Sequence, residues 1–229
     1  SWTLSYIDDY LQPNAGPDQT IIAGNNAQLV GIGARFNGQV GTGTLTNTTT
    51  SYPAPYGQFY WGARHQFLVL ASELLAAGVT PGPLASLAFN VNAPGGAPMQ
   101  NFIIKLGTTT VTDLTTWQNV PNTVFTAASY TDTAGWNVHP FSTAFNWDGV
   151  SNIVVEVCFN NTSFTTNAVV EQSNTTFNSS LWYRADAAGV CGNNTITQFA
   201  QQRPNIRFAG GYPFEWRNLA TNTVITTTT

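Results

Sequence analysis

The chain has 229 residues, of which 42% are apolar and only 8% charged, and seven Lys+Arg against eleven Asp+Glu give a net charge of −4. A single lysine and six arginines cannot neutralise a phosphate backbone, which excludes nucleic-acid binding, and no apolar run reaches the about 18 residues of a membrane-spanning helix. Seven Trp, eight Tyr and fourteen Phe supply a packed core and exclude disorder. Much of the polar remainder is neutral, with 33 Thr and 23 Asn. Ser1 opens the chain without an initiator Met or a signal-peptide pattern, so the chain reads as a mature product or an excerpt.

In chain order, β-branched segments with period-two patterning predict strands over 20–22, 27–32, 59–61, 66–70, 86–91, 101–106, 123–130, 135–141, 153–159, 168–172, 181–184 and 205–209. They are short and separated by Gly, Pro, Asn or Ser clusters, the spacing of an all-β sandwich. One short helix is expected over 72–77, with Ser72 as N-cap, Glu73 in the first turn and Gly78 as a left-handed stop. Thr80-Pro81-Gly82-Pro83 then turns the chain. Surface loops are expected over 38–51, 93–98 and 160–167, although the Thr-rich stretch 41–50 could equally be a strand.

Cys158 closes the apolar run Ile153-Val154-Val155-Glu156-Val157, and Cys191 lies in the loop Gly189-Val190-Cys191-Gly192. Two cysteines make neither a zinc site nor a Cys-x-x-Cys pair, so a Cys158–Cys191 disulfide is the expected state, with two buried thiols as the alternative. An even cysteine count, lysine poverty and abundant Thr and Asn fit secretion and an extracellular or cell-surface location. Glycosylation sequons begin at Asn47, Asn160, Asn161, Asn174, Asn178 and Asn193, a number that Asn/Thr-rich composition alone produces.

Catalytic signals are sparse. His65 and His139 read as hydrogen-bonded structural residues, because the chain has no Gly-x-Ser-x-Gly nucleophile turn. A glycosidase needs two facing carboxylates. The candidates are Asp113, Asp132, Asp148, Glu156, Glu171 and Asp186, and Glu156 and Glu171 fall in strand-like runs, where solvated, outward-facing positions are expected. Calcium is the one metal the composition admits, through Asp8-Asp9, Asp18 or Asp148-Gly149, and Asp148-Gly149 is more simply a turn. The expectation is a protein that is not an enzyme and carries no cofactor. The functional rival is glycan binding. Tyr52, Tyr56, Phe59, Tyr60 and Trp61 cluster beside Arg64 and Gln66, and Tyr56, Tyr60 and Trp61 would form its aromatic platform, with core packing as the competing role. Arg64, Arg184 and Arg207 fall in or beside strand-like runs, where they can pair with carboxylates such as Glu156 or Asp186.

Two resemblances add to this reading. The segment Asn14-Ala15-Gly16-Pro17-Asp18-Gln19-Thr20-Ile21-Ile22-Ala23-Gly24-Asn25-Asn26-Ala27-Gln28-Leu29-Val30-Gly31 resembles the opening of a PKD-type immunoglobulin-like domain. Gly211-Tyr212-Pro213-Phe214-Glu215-Trp216 resembles that family's aromatic central strand, and the stretch 221–229 its Thr-rich later part. This implies a split PKD-like domain, 1–36 plus 211–229, interrupted by a jelly-roll-like β-sandwich over 37–210. Within the insert, Tyr52-Pro53-Ala54-Pro55-Tyr56-Gly57-Gln58-Phe59-Tyr60-Trp61-Gly62-Ala63-Arg64-His65-Gln66, Phe145-Asn146-Trp147-Asp148-Gly149-Val150-Ser151-Asn152-Ile153 and Tyr183-Arg184-Ala185-Asp186 resemble a sandwich module of large secreted surface proteins of Bacteroidota-type bacteria. That resemblance implies an adhesin or surface-filament module and carries no catalytic residue with it.

A PKD-like part that stops at Thr229 would lack its final strand, and an open sheet edge is a template for another chain. Trp2, Leu4 and Tyr6 alternate with polar residues and lead into Ile7, as a strand filling a neighbour's open edge would. The expected intersubunit contacts are therefore Trp2, Leu4, Tyr6 and Ile7 at one end, with Val224, Ile225, Thr227 and Thr229 at the other. Such head-to-tail completion gives polymers when the rotation does not close. The alternative is a carbohydrate-binding module of a secreted multidomain protein.

Overall fold

The computed structural model describes residues 34–211, 216–218 and 223–225, with side chains described over 38–210. The expected strands at 20–22 and 27–32 and the segment 2–7 lie outside these residues. In order, the strands are β1 (Ala34–Val40), β2 (Leu45–Thr46), β3 (Gly62–Val69), β4 (Gly82–Ala93), β5 (Met99–Thr109), β6 (Asn122–Tyr130), β7 (Gly135–Trp147), β8 (Asn152–Asn160), β9 (Val169–Asn174), β10 (Ser180–Ala185), β11 (Gln198–Ala200), β12 (Gln202–Pro204), β13 (Ile206–Gly211), β14 (Trp216–Asn218) and β15 (Thr223–Ile225). A helix, α1 (Ala71–Ala76), follows β3, and a single 3-10 turn spans Val190–Gly192.

The strands form a two-layer, all-antiparallel sandwich. One sheet runs β1-β13-β4-β9-β12, with β7 also on β4 and β2 on β9; the other runs β11-β10-β3-β8-β5-β6. β14 and β15 form a separate two-stranded pair. The core follows from period-two alternation. Along β3, Ala63, Phe67 and Val69 point between the sheets while Leu68 points away; along β8, Ile153, Val155, Val157 and Phe159 point in while Val154 points out. Leu84, Leu87, Phe89 and Val91 of β4 close the core from the other sheet. The outward residues Leu68, Val154 and Leu181 form a smaller second cluster under Leu114 and Val120, so the outer face of the six-stranded sheet is itself roofed by loops.

Local chemistry differs from expectation at four points. Helix α1 starts at Ala71, and its N-cap is Leu70, not Ser72. Glu73 reaches back to accept the Leu70 N–H at 2.8 Å, the half of a capping box that satisfies the N-cap residue's own donor, and the same carboxylate pairs with buried Arg203 of β12 at 2.8 Å. Gly78, at φ 85°, does terminate the helix in the left-handed region. Residues 59–61 are not a strand: they sit in turns, and β3 begins only at Gly62. The expected loop over 38–51 opens as the end of β1 and contains the short strand β2. Gly38 lets β1 pass against the helix end, since a Cβ there would lie 2.0 Å from the Ala77 carbonyl oxygen. Finally, Glu156 is buried, not solvated.

The expected domain boundaries, 36/37 and 210/211, fall within β1 and β13, which pair antiparallel from Ala34↔Gly211 to Val40↔Ile206. Among the described residues, the first strand of the sandwich and the last are therefore neighbours.

Candidate functional site

Where the two sheets meet at one side, β6 is the outermost strand of its sheet and pairs, among the described residues, with β5 alone. Among the described residues β7 pairs in register with β4 alone and runs beside β6. Edge strands usually carry lysine, proline or other charges that discourage further pairing. β6, Asn-Thr-Val-Phe-Thr-Ala-Ala-Ser-Tyr, has none of these, and β7 carries Pro140 but no Asp, Glu, Lys or Arg. Thr126, Ala128 and Ser129 of β6 are exposed. Both edges are bulged at one end. Val124 is looped out opposite β5, and residues 141–144 of β7 face Ala85 alone. Ser142 Oγ donates to the Val124 carbonyl at 3.3 Å. Between these bulges lies a depression of about 600 Å³ lined by Thr108, Asn122, Val124, Thr143, Phe145 and Asn146. Beyond the bulge, β6 is regular from Phe125 to Tyr130.

The terminal residues expected at intersubunit contacts are only partly visible. Val224 and Ile225 lie in β15 opposite Arg217 and Trp216; Trp2, Leu4, Tyr6, Ile7, Thr227 and Thr229 lie outside the described residues.

The aromatic cluster expected as a sugar platform divides in two. Tyr56 does not belong to a platform: it is 0% exposed. The 54–57 turn folds it into the core, against Phe89, Phe102 and Tyr130. Tyr56 Oη and His139 Nε2 share a 2.7 Å hydrogen bond there. Tyr60 and Trp61 stay half-buried at the sandwich rim. The Arg184 guanidinium lies 4.3 Å from the Tyr60 ring centre and 4.8 Å from that of Tyr52. Phe59 packs edge-on against both Tyr60 and the 59%-exposed Phe164. Asp186 Oδ1 accepts the Trp61 backbone N–H at 3.1 Å.

Both histidines are buried structural residues. Ala54 N–H donates to His65 Nε2, which places the imidazole proton on Nδ1, and the ring stacks with Tyr52 and Phe67. Burial lowers the pKa of His65 and of His139 from 6.5 to about 3; nearby Arg184 adds to the effect at His65.

The glycosidase candidates are dispersed, each with a local partner. Asp113 accepts from Asn178 N–H and Glu171 from Asn90. Asp132 accepts from Gly95 N–H; its burial raises its pKa above 3.8. Asp148 closes the turn before β8, accepting from Val150 N–H, Ser151 N–H and Ser151 Oγ, hydrogen bonds that lower its pKa. Among the described residues no group of three or more His, Cys, Asp or Glu side chains is placed to hold a metal ion. The calcium candidates Asp8, Asp9 and Asp18 lie outside the described residues.

The sequence did not show the charged row on the outer face of the six-stranded sheet. Lys105, Glu156 and Gln66 stand side by side on β5, β8 and β3, with Arg64 one pair further along. Glu156 Oε2 accepts from Arg64 Nε and Nη2 and from Gln66, at 2.8–3.0 Å, and Lys105 Nζ lies 3.5 Å from Oε1. The Arg64–Glu156 pairing matches one option left open for the arginines. Arg64 also lies 4.1 Å from the Trp117 ring centre. Period-two counting along β3 would have put Arg64, Gln66 and Leu68 on one face, but not beside Lys105 and Glu156.

The disulfide joins Cys158 of β8 to Cys191 and ties the loop 186–197 onto this same face. No protein-family model, curated protein or solved structure matches the chain, so function is argued from the geometry.

Proposed function

We propose that this chain is a non-enzymatic, extracellular structural or adhesive module whose copies associate through β-strand contacts at the β6 edge. The observation that carries this reading is an outermost strand with no charge and no proline, in a position where strand addition needs only main-chain hydrogen bonds. The disulfide fits an oxidising compartment, and no helix among the described residues is long and apolar enough to cross a membrane. A low-charge surface suits such contacts, because few ions are desolvated on pairing. The incoming strand is the 2–7 segment of a neighbouring copy, whose Trp2, Leu4 and Tyr6 alternate with polar residues. The PKD-like opening and the resemblance of the insert to secreted surface modules support the same assignment.

The test compares wild type with the double variant Thr126→Lys, Ala128→Lys by light scattering and negative-stain electron microscopy. Both side chains are exposed, so the change leaves the core untouched, and circular dichroism checks the fold. Association in wild type, with a monomer in the variant and on deletion of 1–7, is the expected result. A monomeric wild type, or assembly indifferent to both changes, rejects the reading.

The glycan-binding alternative retains Tyr60 and Trp61, favoured by the exposed aromatic rim around Phe59 and Phe164. Loss of neutral-polysaccharide retention in Tyr60→Ala and Trp61→Ala would support it, and absence of retention in wild type would remove it.

A further inference from the structure

The outer face of the six-stranded sheet holds a second depression, of about 400 Å³, whose walls include Arg64, Lys105, Trp117, Asn119, Glu156 and Asn194. We infer that it binds the acidic group of an anionic saccharide, a carboxylate or a sulfate ester on a sugar ring. This does not rest on the strand-assembly reading.

Charge is the first argument. The whole chain is net negative and has only seven cationic side chains, yet two of them converge here. They face one carboxylate, Glu156, so the depression carries an excess of one positive charge. That carboxylate is already committed to three donors on Oε2. Lys105 is not saturated: its ammonium offers three N–H donors, its carboxylate contact is a single oxygen at 3.5 Å, and its side chain is 34% exposed. Its free donors face a depression with no other carboxylate in its lining.

The second argument is rigidity. Two loops wall the hollow, and hydrogen bonds fix each to the sheet and the two to one another. Gln66 clamps the 110–121 loop by donating to the Gln118 carbonyl at 2.9 Å and accepting its N–H at 2.8 Å. Gly107 lets that loop come close, since a Cβ there would lie 2.6 Å from the Asn119 carbonyl oxygen. The Trp117 indole N–H donates to the carbonyls of Asn194 and Thr195, joining the two loops. Arg64 Nη1 donates to Asn193 O and Asn194 Oδ1, and the Cys158–Cys191 bond fixes the base of the second loop. The hollow is therefore pre-formed, which lowers the ordering cost of binding.

The third argument is the chemistry of the rim. Beside the charged groups the lining is mainly amide and indole, from Gln118, Asn119, Asn194 and Trp117, with Val120 the one aliphatic residue. Amides match sugar hydroxyls, and the volume falls in the range of small-ligand sites. Lys105 would bind the acidic group, and Asn119 and Asn194 the ring hydroxyls.

Isothermal titration with a trigalacturonate, a sulfated trisaccharide and neutral cellotriose separates the sources. The expected result is binding of at least one anionic probe and none of cellotriose, weakening as salt is raised. Lys105→Met should weaken that binding about tenfold or more in a variant that circular dichroism shows to be folded. Asn119→Trp, which fills the hollow from an exposed position, should abolish it. Preference for trigalacturonate assigns a carboxylate, and preference for the sulfated probe a sulfate ester. Equal binding of cellotriose, no binding of either anionic probe, or anionic binding that survives both folded variants overturns the inference.

Discussion

At the scale of single residues, the interior is organised around polar groups that the hydrophobic count does not reveal. His65 and His139 are fully buried, and their neutral forms are built into the aromatic core. The folded chain takes up their protons only at about pH 3, while in the unfolded chain each protonates near its ordinary 6.5. The histidine contribution is thus complete above pH 6.5 and is lost as pH falls from 6.5 towards 3. Between pH 7 and pH 5 the loss is about 2 kcal/mol per histidine. Asp132, raised above 3.8 by burial, acts with the opposite sign: the folded chain binds its proton first, so it returns part of the loss at the acid end. Urea unfolding at pH 7 and pH 5 measures this directly. A clear fall in stability is expected, about halved in His65→Gln, and a flat profile would contradict the assignment of neutral buried imidazoles.

At the scale of elements, the long core strands were legible from their β-branched, apolar runs, as Ile153-Val154-Val155-Glu156-Val157 announces β8, but a run buried on both faces does not say which residues point between the sheets. What was not legible is what stands on the other face. Glu156 looks like a solvated strand residue in isolation. Only the pairing of β8 with β3 and β5 puts Arg64, Gln66 and Lys105 around it, and register is a tertiary property that no single strand encodes. The same holds for Tyr56, whose aromatic neighbourhood in the sequence suggested a platform. Its neighbours in space are Phe89, Phe102, Tyr130 and His139, brought in by β4, β5, β6 and β7. The cysteine pair was legible, because two cysteines in a lysine-poor chain leave few alternatives. Replacing both, as Cys158→Ser with Cys191→Ser, should lower unfolding stability by about 3–4 kcal/mol in the chain-entropy account. Because Cys191 ends the 186–197 loop's only covalent tie to β8, amide exchange should rise first in that loop. Unchanged exchange there would mean that the Arg64 and Trp117 hydrogen bonds alone hold it down.

At the scale of the whole molecule, the sandwich has two very different surfaces. The outer face of the six-stranded sheet is roofed, cross-linked and charged. The β6 side is neutral, with its strand paired, among the described residues, on one flank only. Composition favoured packing through uncharged strands, and the PKD-like resemblance with the alternation of Trp2, Leu4 and Tyr6 placed it at the chain ends; the structure adds an outermost strand, β6, without charge or proline, where the residues 123–130 looked like any other strand. On the proposed reading, this edge receives a strand from another copy. Hydrogen–deuterium exchange measured on dilute and on concentrated native protein tests it most directly, because strand addition must protect main-chain amides. The account predicts concentration-dependent protection of β6 amides between Phe125 and Tyr130, accompanied by protection within 2–7. Exchange at β6 that stays the same while the protein associates would place the contact elsewhere and contradict the account.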